Sequence, residues 1–353
     1  MITRRMFHKA AGLGAGAATL AGLQGIPSAS AAPYPADGTP GPALPTVAPG
    51  THTSFTQLKH IRAGLLNVGY AEAGPAHGPV VICLHGWPYD IHSYVDVAPL
   101  LADRGYRVIV PYLRGHGTTR FLSARTFRNA QQSAIALDII ALMDALKIEK
   151  AVLAGFDWGS RTADIIAALW PERVKALVSV SGYVVTNVEA QKKPQPAATE
   201  HTWWYQWYFA TERGRLAMED QKDRHDLCRF VWDTVSPTWH FDDATFERTA
   251  AAFDNPDYAA IVIHNYRWRI GIADGERRYD RYEKRLATRP VIEVPTITLD
   301  AERDPFTPPG DGASYRDRFT GRYEHRTLSG IGHNLPQEAP TAFAQAVVDV
   351  DRF

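Results

Sequence analysis

The chain has 353 residues, of which 45% are hydrophobic and 22% are charged, so its composition is that of a globular and not a disordered protein. Its 38 basic and 38 acidic side chains give a formal net charge of zero, which provides no electrostatic basis for binding nucleic acid or an acidic membrane surface. Two cysteines, Cys83 and Cys228, do not suggest a disulfide framework or a zinc site.

The N-terminal residues resemble a twin-arginine export signal. The sequence TRRMFHK at 3–9 is followed by a weakly apolar stretch at 10–26 and by the small-residue cleavage pattern ASA at 29–31. The apolar stretch is too short and too weak for a spanning helix, so we expect no stable membrane insertion. We therefore predict a signal peptide over 1–31, with export to the periplasm or secretion. The proline-rich residues 32–54 are predicted to form a semi-rigid linker.

From residue 55 the chain alternates between strand and helix patterns. Residues 55–74 alternate apolar and polar side chains as a hairpin of two strands does. Buried strands are predicted from the apolar runs at 80–86, 106–113, 151–157 and 174–182, and helices from the spacing at 132–147 and 162–170. Such alternation is typical of a mainly parallel sheet with helices on both faces.

This alternation stops for about one hundred residues and then returns. Between about 183 and 290 the sequence has little strand pattern and much Trp, Tyr, Arg and Asp, with helical spacing in places. Strands are predicted again at 294–302 and 323–330, before a closing helix that starts at Pro340. The inserted segment follows the carboxyl end of a strand, where sites lie in open α/β sheets, so it is placed to act as a lid.

The segment GFDWG at 155–159 carries the most specific chemical information. A small residue on each side of a central nucleophile, between a strand and a helix, is typical of a sharp turn that usually presents serine. Here the central residue is Asp157. A carboxylate is already ionised at neutral pH and attacks a saturated carbon directly, giving an ester with the enzyme. The alternative is a structural aspartate that caps the following helix.

Five motifs in a fixed order extend this interpretation. They are HGWP at 85–88, RGHGTT at 114–119, GFDWG at 155–159, AERDP at 301–305 and GHN at 332–334. With this set, the chain from 55 onward resembles the epoxide hydrolase family, which is related to the haloalkane and haloacid dehalogenases. The resemblance implies an α/β-hydrolase fold with a mostly parallel central sheet, a core over 55–183 and 291–353, and an inserted helical cap over 184–290.

The resemblance also implies the groups that hydrolyse the ester. His333 is the expected base for water, and Asp304 is its expected orienting acid, with Asp300 and Glu302 as rivals close in sequence. The backbone N–H groups of Trp87 and Trp158 are expected to form the oxyanion hole, and the bond between Trp87 and Pro88 to be cis. His85 is expected to hold that turn and not to act in catalysis.

Epoxide opening produces an alkoxide, which requires donors in the cap. By resemblance, Tyr205 and Tyr266 are expected to donate, since a phenol stays protonated at neutral pH. Tyr208 and His264 are alternatives, and with the indoles of Trp87 and Trp158 they are expected to line the substrate pocket. The competing interpretation is that the aromatic run at 203–209 is simply the core of the cap.

Two other functions stay open at this point. A haloalkane or haloacid dehalogenase would use the same aspartate. Fluoroacetate dehalogenases bind their acid substrate with two arginines, and this chain has only the second of them, Arg161, because Trp158 takes the position of the first. A non-catalytic ligand-binding protein of this fold would typically lose a triad residue, whereas this chain has all three. We expect a small apolar or aromatic epoxide as substrate, no metal and no cofactor. The sequence gives no oligomeric state.

Overall fold

The computed structural model of the protein describes residues 43–307 and 309–353. The predicted signal peptide, 1–31, lies outside the described residues, as does the predicted linker up to residue 42. In the described residues, the strands and helices predicted from the sequence all occur, within a few residues of the expected bounds.

A sheet of nine strands forms the centre of the part of the chain that the structure describes. The strands are β1 (Leu58–Ala63), β2 (Leu66–Ala73), β3 (Val80–Leu84), β4 (Arg107–Pro111), β5 (Arg120–Phe121), β6 (Ala151–Gly155), β7 (Val174–Val180), β8 (Thr296–Ala301) and β9 (Tyr323–Leu328). Their spatial order is β1-β2-β4-β3-β6-β7-β8-β9, with the short β5 beside β2. The pairs that involve β2 are antiparallel, and all the others are parallel. The predicted mostly parallel sheet is confirmed.

Thirteen α-helices occur in the described ranges. They are α1 (Val97–Ala102), α2 (Gln132–Ala145), α3 (Trp158–Leu169), α4 (Val188–Gln191), α5 (Ala197–Thr202), α6 (Trp204–Ala210), α7 (Glu212–Glu219), α8 (Gln221–Val235), α9 (Asp243–Ala250), α10 (Tyr258–Arg269), α11 (Asp280–Ala287), α12 (Leu335–Glu338) and α13 (Pro340–Val350). Helices α2 and α3 pack together along the sheet, and α1 packs with α13. None of these helices is long and apolar enough to span a bilayer.

Helices α4 to α11 all lie between β7 and β8, in the segment that the sequence predicts to be an insertion. Side chains of this segment bond to the loop after β3. The indole N–H of Trp232 donates to the carbonyl of Pro88 at 2.8 Å, and the Thr249 hydroxyl donates to Asp90 at 2.9 Å. The insertion is therefore hydrogen-bonded to the loop that carries the HGWP motif.

Residues 44–52 differ from the predicted semi-rigid linker, because they are bound to the core. The N–H of Leu44 donates to the side chain of Gln345 and that of Val47 to Thr341, both on α13. The N–H of Gly50 donates to the buried Asp96 at 2.7 Å. Because its backbone amides donate to side chains of the core, the segment 44–52 is a strap along the core. Its proline content predicted a linker and gave no indication of these acceptors.

Candidate active site

A strained turn presents Asp157 between β6 and α3. Its backbone angles are φ 53° and ψ −122°, a region that non-glycine residues rarely adopt and that persists only where the surroundings enforce it. The flanking glycines allow the turn: a Cβ on Gly155 would lie 2.4 Å from the backbone carbon of Gly159, and one on Gly159 would lie 1.8 Å from the carbonyl oxygen of Leu84. The small-residue frame is thus a packing requirement of the turn.

His333 lies between two carboxylates. Its Nδ1 is 2.7 Å from an oxygen of Asp304, and its Nε2 is 3.5 Å from an oxygen of Asp157. The first contact is a hydrogen bond and the second is a longer ion pair. Asp304 follows β8 and His333 follows β9, which are neighbouring parallel strands, so the sheet brings the three groups to one edge. Asp304 is 3% exposed, and its other oxygen accepts the N–H of Phe306.

The two rival carboxylates near Asp304 are used elsewhere. Asp300 accepts the Tyr315 hydroxyl at 3.2 Å and the N–H of Gly310 at 3.1 Å. Glu302 is exposed and accepts the N–H of Gly330 at 2.7 Å. Of the three acids considered from the sequence, Asp304 is the one hydrogen-bonded to the imidazole.

The loop of His333 is held by residues that the sequence analysis did not identify. The N–H of His333 donates to the hydroxyl of Ser236 at 3.1 Å, and that hydroxyl donates to the buried Glu338 at 2.6 Å. The other oxygen of Glu338 accepts the N–H of Gly332. Ser236 directly follows α8 of the insertion, 97 residues before His333. A contact at that separation leaves no local pattern, so no sequence signal would have found it.

Electrostatics keep both members of the Asp157–His333 pair charged. Burial favours the neutral imidazole, but the charges of Asp304 and Asp157 outweigh it and raise the pKa of His333 to about 10. Burial likewise opposes ionisation of Asp157, yet His333, Arg161 and the N–H of Trp87 together lower the pKa of this carboxyl. Asp157 is therefore ionised at neutral pH, and its side chain is still 15% exposed.

The HGWP turn supplies a donor to the same carboxylate. The backbone N–H of Trp87 donates to Asp157 at 2.7 Å, and the bond between Trp87 and Pro88 is cis, as expected. Trp158 is the first residue of α3, where N–H groups have no partner within the helix. The ring of His85 bonds to the carbonyl of Gly86 and accepts the N–H of Leu113, which is the structural role expected of it.

Tyr205 and Tyr266 lie together, close enough to Asp157 for its charge to act on both phenols. Their ring centroids are 5.2 Å apart, and each is 5.2 Å from the indole of Trp87. Burial, followed by nearby negative charge, raises the pKa of both phenols, so both are donors at neutral pH. Tyr205 also contacts Phe306, whose ring is 5.0 Å from that of His333.

The other predicted pocket residues lie elsewhere. His264, an alternative donor in the sequence analysis, is bonded through both ring nitrogens, to the N–H of Ala130 and to the carbonyl of Asp274, so neither nitrogen faces the cavity as a free donor. Tyr208 is one residue before Phe209 on α6 and packs against Trp204, off the cavity wall. The helical turn explains this difference: Tyr205 and Phe209 share the face towards Trp87, and Tyr208 does not.

The indoles of Trp87 and Trp158 also differ from the prediction. Both are 1% exposed, and neither forms the wall of the open cavity. Trp87 packs against Tyr205 and Tyr266, and Trp158 packs against Tyr266. Their contribution to the site is a packed floor under the phenols, together with the backbone groups described above.

A cavity of about 600 Å³ opens beside Asp157. Asp157, His333, Tyr205 and Phe306 form part of its wall. Polar side chains contribute much of the rest of the wall: Ser181, Thr186, Asn187, Gln191, Arg161, Arg269 and Arg289. Within the described residues no cluster of three or more His, Cys, Asp or Glu side chains could hold a metal ion.

Comparison with known proteins agrees with this geometry. A family model described as "alpha/beta hydrolase fold" matches residues 79–340, which is most of the chain. The chain belongs to the α/β-hydrolase fold family. Within that family, this α/β-hydrolase is 60% identical to a protein of known crystal structure from Klebsiella pneumoniae subsp. pneumoniae MGH 78578, provisionally named an epoxide hydrolase. The two superpose with a TM-score of 0.83 over 85% of this chain and 98% of the other.

Curated relatives of this α/β-hydrolase carry related names. It is 27% identical to epoxide hydrolase A of Mycobacterium tuberculosis (strain ATCC 25618 / H37Rv), over 79% of this chain and 92% of the relative. It is 37% identical to epoxide hydrolase 3 of Siraitia grosvenorii over 125 residues, 35% of this chain and 39% of the relative. This second match therefore spans only about two fifths of that relative's length.

Proposed function

We propose that this α/β-hydrolase opens epoxides to vicinal diols through a covalent ester on Asp157. The observation that carries the proposal is the arrangement around that carboxylate: an ionised Asp157 paired with His333, with two protonated phenols nearby. The names of the relatives support the same activity. Each group has one task in a two-step reaction, and no step requires a metal or a cofactor.

In the first step the Asp157 carboxylate attacks one carbon of the oxirane. A carbon–oxygen bond forms to the enzyme while the bond from that carbon to the ring oxygen breaks, and the electron pair stays on the oxygen. Tyr205 and Tyr266 donate to this oxygen as its charge develops, and one phenol supplies the proton that makes it an alcohol. Their raised pKa values keep these protons in place until the alkoxide forms.

In the second step His333 activates water. In the free enzyme the negative charge of Asp157 helps to raise the pKa of His333. Formation of the ester removes that charge. The imidazole therefore becomes easier to deprotonate at this stage, and the proton it releases replaces the one lost by the phenol. The neutral ring then takes a proton from water, which attacks the ester carbonyl. The N–H of Trp87 stabilises the resulting oxyanion. Its collapse breaks the bond to the alkoxide, which takes the proton of the new Asp157 carboxyl group, so the diol leaves and the charged Asp157–His333 pair is restored.

A single turnover in heavy-oxygen water tests this scheme. With enzyme in excess over a neutral aryl epoxide, the first diol should take its new oxygen from Asp157, so the diol is unlabelled and the protein gains the label. A labelled diol with unlabelled protein would mean direct attack by water and would refute the covalent step. The variant Asp157→Ala serves as control, and turnover that survives in it would place catalysis elsewhere.

Dehalogenation by the same aspartate is the second candidate, because one specific observation favours it. The indoles of Trp87 and Trp158 lie against the phenol of Tyr266, and their N–H groups donate to no carbonyl or carboxylate among the described residues. A leaving halide takes such weak donors, whereas an alkoxide requires a proton. Halide release from a panel of haloalkanes and haloacids, at rates that exceed opening of every epoxide tested, would establish this candidate instead.

The predicted signal peptide leads to a proposal about location. We propose that the twin arginines at positions 4 and 5 direct export of the folded protein, with cleavage after residue 31. Expression in a bacterium with an active twin-arginine pathway should give periplasmic protein that begins near residue 32. Replacing both arginines by lysine should keep the full-length chain in the cytoplasm, and unchanged export of that variant would disprove the proposal.

A further inference from the structure

Two arginines at the cavity are left without the partners that buried arginines normally have. Arg161 is one turn after Asp157 on α3 and only 7% exposed, and Arg269 is the last residue of α10. The Nε atom of each is buried and has no hydrogen-bond partner among the described residues. Arg114 provides the contrast within the same chain, since its guanidinium binds both oxygens of Asp138 at 2.6 and 2.8 Å.

The carboxylates near Arg161 are already bound elsewhere. Asp157 is ion-paired with His333. Asp164, one turn further along α3, accepts the N–H of Val184 through one oxygen at 2.8 Å, and burial raises the pKa of its carboxyl to about 8, so it is largely uncharged at neutral pH. Reaction at Asp157 makes the imbalance larger, because an ester carries no charge. During the proposed catalytic cycle the guanidinium therefore loses the carboxylate that most favours its charge.

The two guanidinium groups lie close enough to affect each other. Burial, and then the charge of Arg269, lower the pKa of Arg161 to about 10. The guanidinium carbon of Arg269 is 5.7 Å from the ring centroids of Trp203 and Tyr266, so aromatic faces hold it at the cavity wall. Two like charges beside one partly buried cavity are unfavourable unless an anion lies between them.

We propose that Arg161 and Arg269 bind a carboxylate of the substrate, so that the substrate class is epoxides that bear a carboxylate. This inference rests on the proposed function. Asp157 and Arg161 lie one helical turn apart, which places the oxirane and the carboxylate at two ends of one small molecule. Each guanidinium offers paired N–H donors that match carboxylate oxygens. The expected apolar or aromatic epoxide is thereby amended: the aromatic rings surround the reacting end, and the far end is anionic.

Binding of unreactive ligands tests the subsite without any chemistry. Calorimetry on the unmutated protein compares 3-phenylpropanoate with its neutral amide, and we expect the carboxylate to bind about tenfold to a hundredfold more tightly, as for charge-assisted hydrogen bonds. Arg269→Gln and Arg161→Gln should each remove most of this preference. Arg289→Gln is the matched control, because Arg289 is exposed at the same cavity and stacks on Tyr183 instead.

The outcomes separate the possible explanations. Equal affinity for the acid and the amide would overturn the inference. So would a loss of preference in Arg289→Gln as large as in the other two variants, because it would indicate a diffuse positive field at the cavity. Tighter binding of the matching phosphonate would overturn the assignment of carboxylate. Because Arg161 is buried, its variant is checked by thermal unfolding, and Arg269→Gln gives the answer if that variant does not fold.

Turnover of a matched pair, an aryl glycidate and its amide, then tests the link to catalysis. The acid should have the higher kcat/KM, and Arg269→Gln should reverse this by raising KM for the acid. If the amide is the better substrate, the subsite is wrong and epoxide opening stands. If neither epoxide is opened while the carboxylate preference in binding persists, the proposed function fails and the subsite stands.

Discussion

Replacement of Asp304 by asparagine tests how the imidazole is prepared for its task. The 2.7 Å contact places the carboxylate against Nδ1 of His333. At that distance, with an effective dielectric constant of about 20, the attraction to the protonated ring is about 6 kcal/mol. Asparagine removes the charge, and its amide group can also donate to Nδ1, which would force the proton onto Nε2 and block the base. The amide dipole restores part of the attraction, so we expect kcat to fall by about 10³–10⁴-fold, as for the equivalent change in other triads.

The loss should fall on the second step alone. Asp157 remains ionised and able to attack, so rapid quenching with intact-mass measurement should find the alkyl adduct accumulating on the enzyme during steady turnover. Glu302→Gln is the matched control, since that carboxylate is two residues away, exposed and not bonded to the imidazole; it should change kcat by less than about twofold. Unchanged kcat in Asp304→Asn, or a large loss without any adduct, would refute the assigned role.

Three further predictions follow from the same contacts. The pKa of His333 is raised to about 10 in the folded state, against an ordinary value of about 6.5. The protonated ring therefore stabilises the fold fully below about pH 6.5, and this stabilisation is lost as pH rises through 10. The free energy of unfolding should fall more steeply between about pH 7 and 10 in the unmutated protein than in His333→Gln. Ser236→Ala leaves Glu338 without its hydroxyl donor and should lower the free energy of unfolding by about 1–3 kcal/mol in urea titrations, while a loss below 0.5 kcal/mol would mean the hydroxyl is replaced by water. Tyr266→Phe should slow epoxide opening by about 10²-fold or more but displacement of halide much less, with Tyr208→Phe nearly silent; equal losses for both reactions would remove the donor role.

Local sequence pattern and motif order predicted the features of the fold and site that depend on residues close together in the sequence. The parallel strands, the helix at 132–145 and the turn at Asp157 all have signals within a few residues of themselves. Asp304 came from the resemblance to the epoxide hydrolase family, because Asp300 and Glu302 lie at the same strand end and local pattern does not separate the three acids. What could not be predicted depends on the side of a helix or on distant contacts: His264 and Tyr266 are two residues apart on α10, so their side chains point in different directions.

The position of Arg269 could have been predicted from the sequence only in part. It lies three residues after Tyr266, which is helical spacing for a shared face, so its presence beside the phenol could have been expected. Its proximity to Arg161 could not, because the two residues are on separate elements whose relative position only the folded chain sets. The strap at 44–52 is a similar case, since its acceptors lie on α13 at the other end of the sequence.

Ser236, directly after α8, is hydrogen-bonded through its hydroxyl to the loop of His333. Trp232, on the same helix, is hydrogen-bonded to Pro88 in the HGWP turn. The helical insertion is consequently not an interchangeable module. Grafting an insertion from a distant relative to alter substrate range would break both anchors unless a serine and a tryptophan came with it at these two places. Engineering of selectivity is therefore better directed at the rim of the cavity than at whole-segment exchange.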